Sequence, residues 1–491
     1  MKLFTIKGGV HPEYRKEKTR DSAIVSLPIP RILCLPLQQH VGAAAEAVVS
    51  SGLKVKKGQV LAVAHGSVSA PIHAPTSGYI VDIVDHVAPH PSGLTQKTIM
   101  LRSDGKDEWG ELPAPIADPF AASPREISAR VAEAGIVGLG GAAFPSSVKL
   151  SLRAGHALEM LLLNGAECEP YLTCDDRVMR EYAEEVIDGG RIMAHALNTK
   201  RVLVAIEDNK PQAIEAMSRA GAPFGIQVVK VPARYPMGSA HHLVKTVTGR
   251  EPPAHGRTAA VGVLVHNVCT ARAVHRAVRF GQPLISRVIT VSGGALARGH
   301  NIDVLLGTLV SDLIPFCGGF ADGAMPFRVI SGGPMMGHAL PALDVPVVKG
   351  TCGILALTQA EVNEQMPEPC IRCGACVEVC PNGLMPLEMS SYIRHDRLED
   401  ATRLNVQDCM SCGGCSYACP SHIPLMHYFE YAKGRLKAHD REHNKRERLK
   451  KLAEARRLRM EKQARAKAEA AARKARPAPA PDSRCSPDQP L

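Results

Sequence analysis

The sequence contains no apolar segment of the ~18–20 residues that a membrane-spanning helix requires. Its best candidate, residues 304–316, is interrupted by Gly307, Ser311 and Asp312. The N-terminal stretch MKLFTIKGGVHPEYRK also has no apolar core of the kind found in secretory signals. We therefore expect a protein that stays in the cytoplasm and associates with a membrane only indirectly, through partner proteins.

Most of the chain also has no net charge. The formal charge of +11 arises in the tail, where residues 433–476 contain 18 Lys and Arg against 6 Asp and Glu, whereas residues 1–432 sum to zero. A neutral body does not offer the basic surface that nucleic acids require, so we predict no nucleic acid partner. The tail lacks a continuous apolar stripe, which favours a solvated helix fraying into the Pro-rich end. Contact with anionic lipid or an acidic partner is the alternative.

Fifteen cysteines would indicate disulfides in a small secreted protein, but this chain is 491 residues long. Eight of them lie in two runs, CIRCGACVEVCP and CMSCGGCSYACP, each with the spacing C-x2-C-x2-C-x3-C-P. In two-cluster ferredoxins the fourth cysteine of each run binds the other [4Fe–4S] cluster. Paired zinc sites are a less favoured alternative. The predicted ligands are Cys370, Cys373, Cys376 and Cys419 for one cluster, and Cys380, Cys409, Cys412 and Cys415 for the other.

A glycine-rich segment, GIVGLGGAAFPSSVK at residues 135–149, follows a predicted helix with Ser123 as N-cap and Pro124 at its first position. Glycines let backbone N–H groups approach a phosphate closely, and a lysine adds a cationic contact. A simple tight turn is the alternative. The candidate phosphate-binding residues are Gly138, Gly140, Gly141 and Lys149.

Three apolar segments, EMLLLNGAECEP, VLVAIEDNK and VGVLVHNVCTARAV, each end in polar residues. Buried strands with polar ends alternating with helices predict an α/β domain whose site lies at the carboxyl ends of the strands. Helix capping is the alternative role for any one of these polar residues. The candidates at this edge are Asn164, Glu167, Glu169, Asn267 and Thr270.

In chain order, GLGGAAFPSSVK, NGAECEP, YPMG, TGREPP, NVCTA, GGPMMG and the doubled cysteine runs form a specific combination. On these motifs, residues 1–435 resemble the RnfC (RsxC) family, the peripheral NADH-side subunits of Rnf electron transport complexes. Residues 125–345 are also similar to the flavin- and NADH-binding subunit of respiratory complex I. The resemblance implies a protein that passes electrons between NADH, FMN and two [4Fe–4S] clusters, coupled to ion translocation. It also implies partners, namely membrane subunits and a ferredoxin-like subunit, at the cytoplasmic face of the bacterial inner membrane.

The fold implied by the resemblance is multidomain, α/β and α+β. A barrel-sandwich hybrid is expected at residues 1–115; its carrier relatives modify a lysine at a turn that here reads AHGSVSAP, so we expect a structural or docking role. The other expected parts are an α/β FMN- and NADH-binding domain (116–287), an SLBB-like β-grasp domain (288–350), a helical two-cluster ferredoxin domain (351–432) and a basic helical to disordered tail (433–491).

The resemblance also implies roles for individual residues toward noncovalent FMN and NADH. Gly138, Gly140, Gly141 and Lys149 would cradle the nucleotides, Phe144 would stack on nicotinamide or adenine, Asn164, Glu167 and Asn267 would hold the flavin, Thr270 would bind its phosphate and Glu169 would face the NADH ribose.

The chain departs from the related patterns at two places. Ala166 stands where an Asp is usual, and residues 238–241 read GSAH instead of GGEK, so that an acidic side chain is missing. Glu207 or Asp208 is a candidate substitute for it. These departures favour one alternative, a cluster-carrying scaffold without NADH binding. A diaphorase subunit of a soluble hydrogenase or formate dehydrogenase is a second alternative, which the barrel-sandwich domain ahead of the flavin domain disfavours.

Overall fold

We describe the protein from a computed structural model, which covers residues 3–151, 157–321, 326–362 and 364–475. The chain forms two compact units, one that runs to Phe429 and one that begins at Glu430. None of the helices in the described ranges is both long enough and apolar enough to cross a membrane. The first unit contains all the sheets and both cysteine runs.

Short strands with frequent turns form the N-terminal part of the first unit. They are β1 (Ile24–Ser26), β2 (Ile32–Pro36), β3 (Glu46–Ala47), β4 (Lys54–Val55), β5 (Val60–Val63), β6 (Ile72–His73), β7 (Gly78–Val87) and β8 (Thr95–Ser103). Two small antiparallel sheets, ordered β2-β8-β7-β4 and β3-β5-β6, enclose a core that includes Leu33, Leu61 and Leu101. One face of each sheet packs on this core and the other meets solvent, as is common for antiparallel sheets.

A parallel four-stranded sheet flanked by helices follows. Its elements are α1 (Pro124–Glu133), α2 (Ser146–Leu150), β9 (Met160–Gly165), α3 (Cys174–Glu181), α4 (Ala183–Leu197), β10 (Arg201–Glu207), α5 (Pro211–Gly221), β11 (Gln227–Val231), α6 (Ala240–Thr248), β12 (Val263–Asn267) and α7 (Val268–Phe280). The predicted helix start is confirmed, because the Ser123 hydroxyl accepts a hydrogen bond from the Glu126 N–H and Pro124 is the first residue of α1.

The order of strands in this parallel sheet is β11-β10-β9-β12. Strands β10 and β11 are added in turn on one side of β9, and β12 is added on the other side of β9. The strand order therefore reverses beside β9, and open α/β sheets have their ligand crevice at the carboxyl ends of the strands at such a point. Helices α4 and α7, which come after β9 and β12, pack against each other below it. Asn164 and Asn267 are register partners at this point.

A mixed sheet of six strands comes next in the chain. The new elements are β13 (Ser286–Ser292), β14 (His300–Leu305), α8 (Val310–Phe316), β15 (Arg328–Ser331), β16 (His338–Ala339) and β17 (Gly353–Leu357). The sheet is ordered β1-β14-β13-β17-β15-β16 and packs on helix α8. Two of its strands, β1 and β17, come from outside the predicted β-grasp segment 288–350: β1 belongs to the predicted segment 1–115 and β17 to the predicted segment 351–432. The predicted domain boundaries stay predictions.

The cysteine-rich part is helical. Its elements are α9 (Gln359–Val362), α10 (Ala375–Glu378), α11 (Pro386–Arg394), α12 (Leu398–Arg403), α13 (Gly414–Tyr417) and α14 (Leu425–Lys474). Each run turns through a left-handed glycine, Gly374 (φ 82°) or Gly413 (φ 74°), into a one-turn helix, so the sequence duplication is also a structural one. Between the two runs lie α11 and α12, in keeping with the helical ferredoxin domain expected here.

The second unit is the continuation of α14. Its residues are almost all exposed, and charges of both signs pair along it, for example Arg465 with Glu469. The tail therefore forms the predicted helix as far as Lys474. The Pro-rich end lies outside the described residues.

Candidate functional site

The eight cysteines of the two runs line two separate cavities. Cys380, Cys409, Cys412 and Cys415 line one, together with Met389 and Phe429. Cys370, Cys373, Cys376 and Cys419 line the other, together with Leu387 and Ile423. The structure thus brings together the same two sets of four that the spacing predicts, with the fourth cysteine of each run in the opposite cavity. Four thiols with apolar walls fit a [4Fe–4S] cluster in each cavity.

Backbone N–H groups point at the ligand sulfurs in both runs. Arg372 (φ 55°) and Ser411 (φ 56°) adopt left-handed conformations, and their backbone nitrogens lie 3.4 Å from the Sγ atoms of Cys370 and Cys409. Hydrogen bonds to cluster sulfurs are one of the levers that set a cluster's reduction potential. Of the other cysteines, five are buried and Cys352 is half-buried, as expected of core thiols, while Cys485 lies outside the described residues.

The glycine-rich segment forms a loop that is held at its centre, Leu139. The N–H of Leu139 donates to the Thr270 hydroxyl (2.9 Å), and its carbonyl accepts from the Arg287 guanidinium (2.9 Å). Gly138 closes the loop by donating to the Phe144 carbonyl at 2.8 Å. Gly140 and Gly141 are exposed at the tip, where Gly141 has φ +103° and open space at the Cβ position. This exposed backbone is what a bound phosphate requires.

The loop tip approaches the crevice between β9 and β12. A Cβ added to Gly140 would lie 3.2 Å from the Asn267 Cβ. Asn267 caps α7 by accepting from the Cys269 N–H (2.8 Å), and its amide donates to Asp175 (2.6 Å). Asn164 donates to the Gly238 carbonyl at 2.8 Å. Amide and carboxylate groups thus gather where the Gly140 tip meets the carboxyl ends of β9 and β12, which suits a ligand with hydrogen-bonding edges such as FMN. The predicted contacts with FMN stay predictions.

Glu167 is buried under the crevice. Its carboxylate accepts from the N–H groups of Asp175 (2.8 Å) and Asp176 (3.3 Å), so it caps helix α3 from a distance. Thr173, the local N-cap residue, makes no side-chain cap bond; its hydroxyl donates to the Asn301 side-chain carbonyl (2.9 Å) and lies 2.8 Å from the Thr19 hydroxyl. Burial raises the pKa of Glu167. The structure places Glu167 beside the crevice in a capping role, and direct contact with the flavin remains a prediction.

Glu169 holds the GGPMMG turn. Its two carboxylate oxygens accept from the N–H groups of Met335 (3.0 Å) and Met336 (2.8 Å), and a Cβ on Gly333 would collide with it at 2.3 Å. Burial raises the pKa of Glu169 to about 7. This close packing explains why position 333 of the turn is a glycine. The predicted contact of Glu169 with the NADH ribose stays a prediction.

Three further predicted residues lie around the loop. Thr270 is fully buried, and its hydroxyl accepts the hydrogen bond from the Leu139 N–H in the loop. Its contact with the FMN phosphate remains a prediction. Lys149 donates to the Val265 carbonyl (3.3 Å), and burial together with Arg257 lowers its pKa. Arg257 also lies 5.6 Å from the ring centre of Phe144. Two cationic side chains beside the loop suit an anionic ligand.

Several residues of this region carry no signal in the sequence because their neighbours are distant along the chain. Arg287 and Asp175 belong to no local motif, and Lys16 reaches the Glu167 carbonyl (2.5 Å) from the N-terminal segment. Glu207, one candidate substitute for the missing acidic residue, is fully buried in an ion pair with Lys210.

Comparison with known proteins covers most of the chain. Residues 4–106 match the RnfC barrel sandwich hybrid domain, 131–276 the Nuo51 FMN-binding domain, 288–339 the SLBB domain and 369–423 the 4Fe-4S dicluster domain. The predicted fold class is therefore confirmed. A solved NAD+-reducing [NiFe]-hydrogenase in its air-oxidised state is 18% identical with a TM-score of 0.47, over 65% of this chain and 67% of that one. That likeness carries no argument about function.

Two curated relatives are much closer in sequence. A subunit of the ion-translocating oxidoreductase complex of Rhodobacter capsulatus is 55% identical over 89% of this chain and 84% of the relative. A subunit of the proton-translocating ferredoxin:NAD(+) oxidoreductase complex of Clostridium ljungdahlii is 45% identical over 89% of this chain and 95% of the relative. Together with the domain matches and the two four-cysteine cavities, they show that the chain belongs to the RnfC family of ion-translocating oxidoreductase complexes, with FMN and two [4Fe–4S] clusters as its cofactors.

Proposed function

We propose that this chain exchanges electrons with NADH at the crevice between β9 and β12 and passes them on to partner subunits of a membrane-bound complex that couples the transfer to ion translocation. The partners are the membrane subunits and a ferredoxin-like subunit, and the chain lies peripherally at the cytoplasmic face. The observation that supports this most directly is that the crevice and both four-cysteine cavities lie in one compact unit. The Clostridium relative, whose name includes ferredoxin and NAD+, gives independent support.

The chemistry requires a converter between electron pairs and single electrons. FMN, when bound, supplies it, because a flavin accepts a hydride and releases electrons one at a time. The chain's own residues bind the cofactor and orient it. The exposed Gly140 and Gly141 backbone offers N–H groups to phosphate, while Asn164 and Asn267 present amides at the crevice. Glu169 fixes the GGPMMG turn beside it.

The proposal is tested by anaerobic reduction. The chain, purified with FMN and clusters, is mixed with NADH while flavin and cluster absorbance are recorded. We expect both to bleach. If FMN is bound and NADH leaves the absorbance unchanged although dithionite bleaches it, the chain is instead the cluster-carrying scaffold without NADH binding.

The location of the flavin is tested by two variants at one position. Asn267→Ala loses both the helix cap and the amide, whereas Asn267→Ser keeps a capping oxygen and loses only the amide that donates to Asp175. We expect FMN content to fall in both, with Asn267→Ser retaining wild-type thermal stability. Unchanged FMN content in both variants would contradict the assignment.

A further inference from the structure

The two cluster cavities have nearly identical sequence motifs but different surroundings. The loop that carries Cys412 is built into the body of the first unit: the buried Tyr235, which follows β11, donates its hydroxyl to the Cys412 carbonyl at 2.6 Å. Tyr235 and Cys412 share an apolar cluster with Met335 and with Cys168, the residue between Glu167 and Glu169. Residues next to the flavin crevice therefore pack directly on this cysteine loop.

A second line of contacts runs from the crevice to the same loop. Glu169 holds Met335 through the Met335 N–H, and Gly413 approaches Met335 so closely that an added Cβ would lie 2.8 Å from the Met335 carbonyl oxygen. Only a residue without a side chain fits at this contact. The distance from Glu169 to the cavity of Cys412 is thus bridged by one residue, Met335.

The N-terminal segment packs against the backbone beside Cys380 from another side. The Gly9 N–H donates to the Val379 carbonyl at 2.8 Å, and a Cβ on Gly8 would lie 2.5 Å from the carbonyl oxygen of Cys380, one of the four ligands. Val10 also pairs with Tyr235. Three separate segments of the chain therefore pack against the Cys380/Cys412 side.

The cysteine run at the other cavity is more exposed to solvent. Cys370 and Cys373 are exposed, and so are all the described residues from Glu364 to Cys373. Ile371, which follows the first cysteine of its run, is 69% exposed, whereas Met410 at the equivalent position of the other run is partly buried in the apolar cluster around Tyr235. The two exposed ligands leave this cluster within reach of a protein that docks at this face, and the exposed Ile371 between them offers such a protein an apolar contact.

We propose that the two cluster sites work in a fixed order. The site of Cys380, Cys409, Cys412 and Cys415 exchanges electrons with the flavin crevice, and the site of Cys370, Cys373, Cys376 and Cys419 is the outlet. The surface around Ile371 docks a partner protein that carries a one-electron redox group. The order rests on the proposed function, in which oxidation of one NADH gives NAD+, one proton and two electrons; two one-electron reductions of the partner balance each NADH.

The order is tested with one ligand variant in each site, Cys412→Ser and Cys373→Ser. Each is purified with FMN, mixed with NADH or photoreduced, freeze-quenched and examined by EPR, and dithionite then shows whether the remaining cluster is present. We expect Cys373→Ser to keep reduction of its remaining cluster at the wild-type rate. We expect that in Cys412→Ser the remaining cluster, the outlet cluster, is no longer reduced from the flavin, although dithionite still reduces it.

Rapid reduction of the outlet cluster in Cys412→Ser, or loss of reduction in Cys373→Ser, would overturn the order. Photoreduction of the flavin bypasses NADH, so a failure of NADH oxidation alone contradicts the proposed function and not the order. Where a ligand variant loses both clusters, Tyr235→Phe replaces it: we expect a shift in the EPR spectrum and potential of one cluster only. Tyr14→Phe, which removes a similar 2.6 Å bond to the Ala233 carbonyl, is the matched control and should shift neither.

The docking surface is tested in the assembled complex. A photo-crosslinking amino acid is placed at position 371, and at the equally exposed position 94 as control. We expect position 371 alone to crosslink to a protein that mass spectrometry identifies as carrying a one-electron cofactor. Crosslinks from 371 only to lipid, to a second copy of this chain or to a protein without such a cofactor would overturn the docking proposal, as would equal crosslinking from both positions.

Discussion

Single residues from distant parts of the chain fix the shape of the glycine-rich loop. Arg287 is buried and donates to two backbone carbonyls, those of Leu139 and Lys349. It thereby joins the loop to the segment before β17. Since hydrogen bonds from a charged donor to buried carbonyls are expensive to lose, this side chain determines how firmly the loop keeps its conformation.

Arg287→Met should weaken FMN binding. Loss of the bond to Leu139 is expected to cost about 1.5–3 kcal/mol, so the dissociation constant should rise by roughly ten- to a hundredfold. Fluorescence titration of the deflavinated protein measures this. The control is Arg276→Met, which removes a bond to Gln282 and should leave FMN affinity unchanged. Equal affinity in wild type and Arg287→Met would show that the loop is held without Arg287.

The protonation of Glu169 should make stability depend on pH. Burial raises its pKa to about 7 from an unfolded value near 4.5. The folded protein therefore holds this proton more tightly, so the contribution of Glu169 to stability is fully present below pH 4.5 and is lost as pH rises through 7, by about 3 kcal/mol in total.

Glu169→Gln cannot ionise and should lose this fall. The measurement is the unfolding midpoint under anaerobic conditions between about pH 5.5 and 8.5, which brackets the raised pKa. The exposed Glu133→Gln is the control. Parallel pH profiles for Glu169→Gln and wild type would mean that the carboxyl is ionised throughout this range.

At the scale of elements, the parallel sheet presents its polar residues at one edge because β9, β10 and β12 run in the same direction. Strand β10 ends in a buried charge, Glu207, which pairs with Lys210 at the start of α5. Lys210 also donates to the Glu167 carbonyl (3.3 Å), so the pair links β10 to the segment after β9. Opposite charge raises the pKa of Lys210 despite its burial.

Lys210→Met should destabilise the first unit strongly. It leaves Glu207 buried without its partner, a change that typically costs ~3–5 kcal/mol. Chemical denaturation measures the loss. The double variant Glu207→Leu/Lys210→Met removes both charges and should recover most of the stability. A double variant as unstable as the single one would show that the bond from Lys210 to Glu167 matters more than the ion pair.

The elements themselves were largely predictable from local patterns. The N-cap of α1, the apolar strands β9, β10 and β12 and the helices between the cysteine runs all follow from residues that are close together in the chain. Strand partners did not follow, because β1 and β17 join a sheet whose other strands lie elsewhere in the chain. Pairing depends on which edges the tertiary structure leaves free, and no local pattern records that.

At the scale of the whole molecule, the basic part of α14 belongs to the second compact unit. Deleting residues 436–491 keeps the buried Phe429 and Ala432 and should therefore leave iron content, FMN content and the thermal unfolding of the first unit unchanged. Iron analysis and calorimetry of the shortened chain measure this. A loss of iron would show that the tail stabilises the cluster sites.

The sequence by itself determined the cofactors, and its spacing predicted the same two sets of four cysteines that line the two cavities. Cysteine spacing is a local geometric constraint: two-residue spacers bring three thiols to one cluster, and the fourth is directed to the other. The glycines of the loop are likewise a local feature, because the absence of a side chain follows directly from the residue type.

Tertiary structure alone decided the rest: that Glu167 caps a helix, that Arg287 holds the loop, and that two similar cysteine runs differ in exposure. Those properties depend on which segments pack against each other. Packing between residues as distant as Gly8 and Cys380 leaves no trace in either segment, because each position is compatible with many neighbours until the fold selects one.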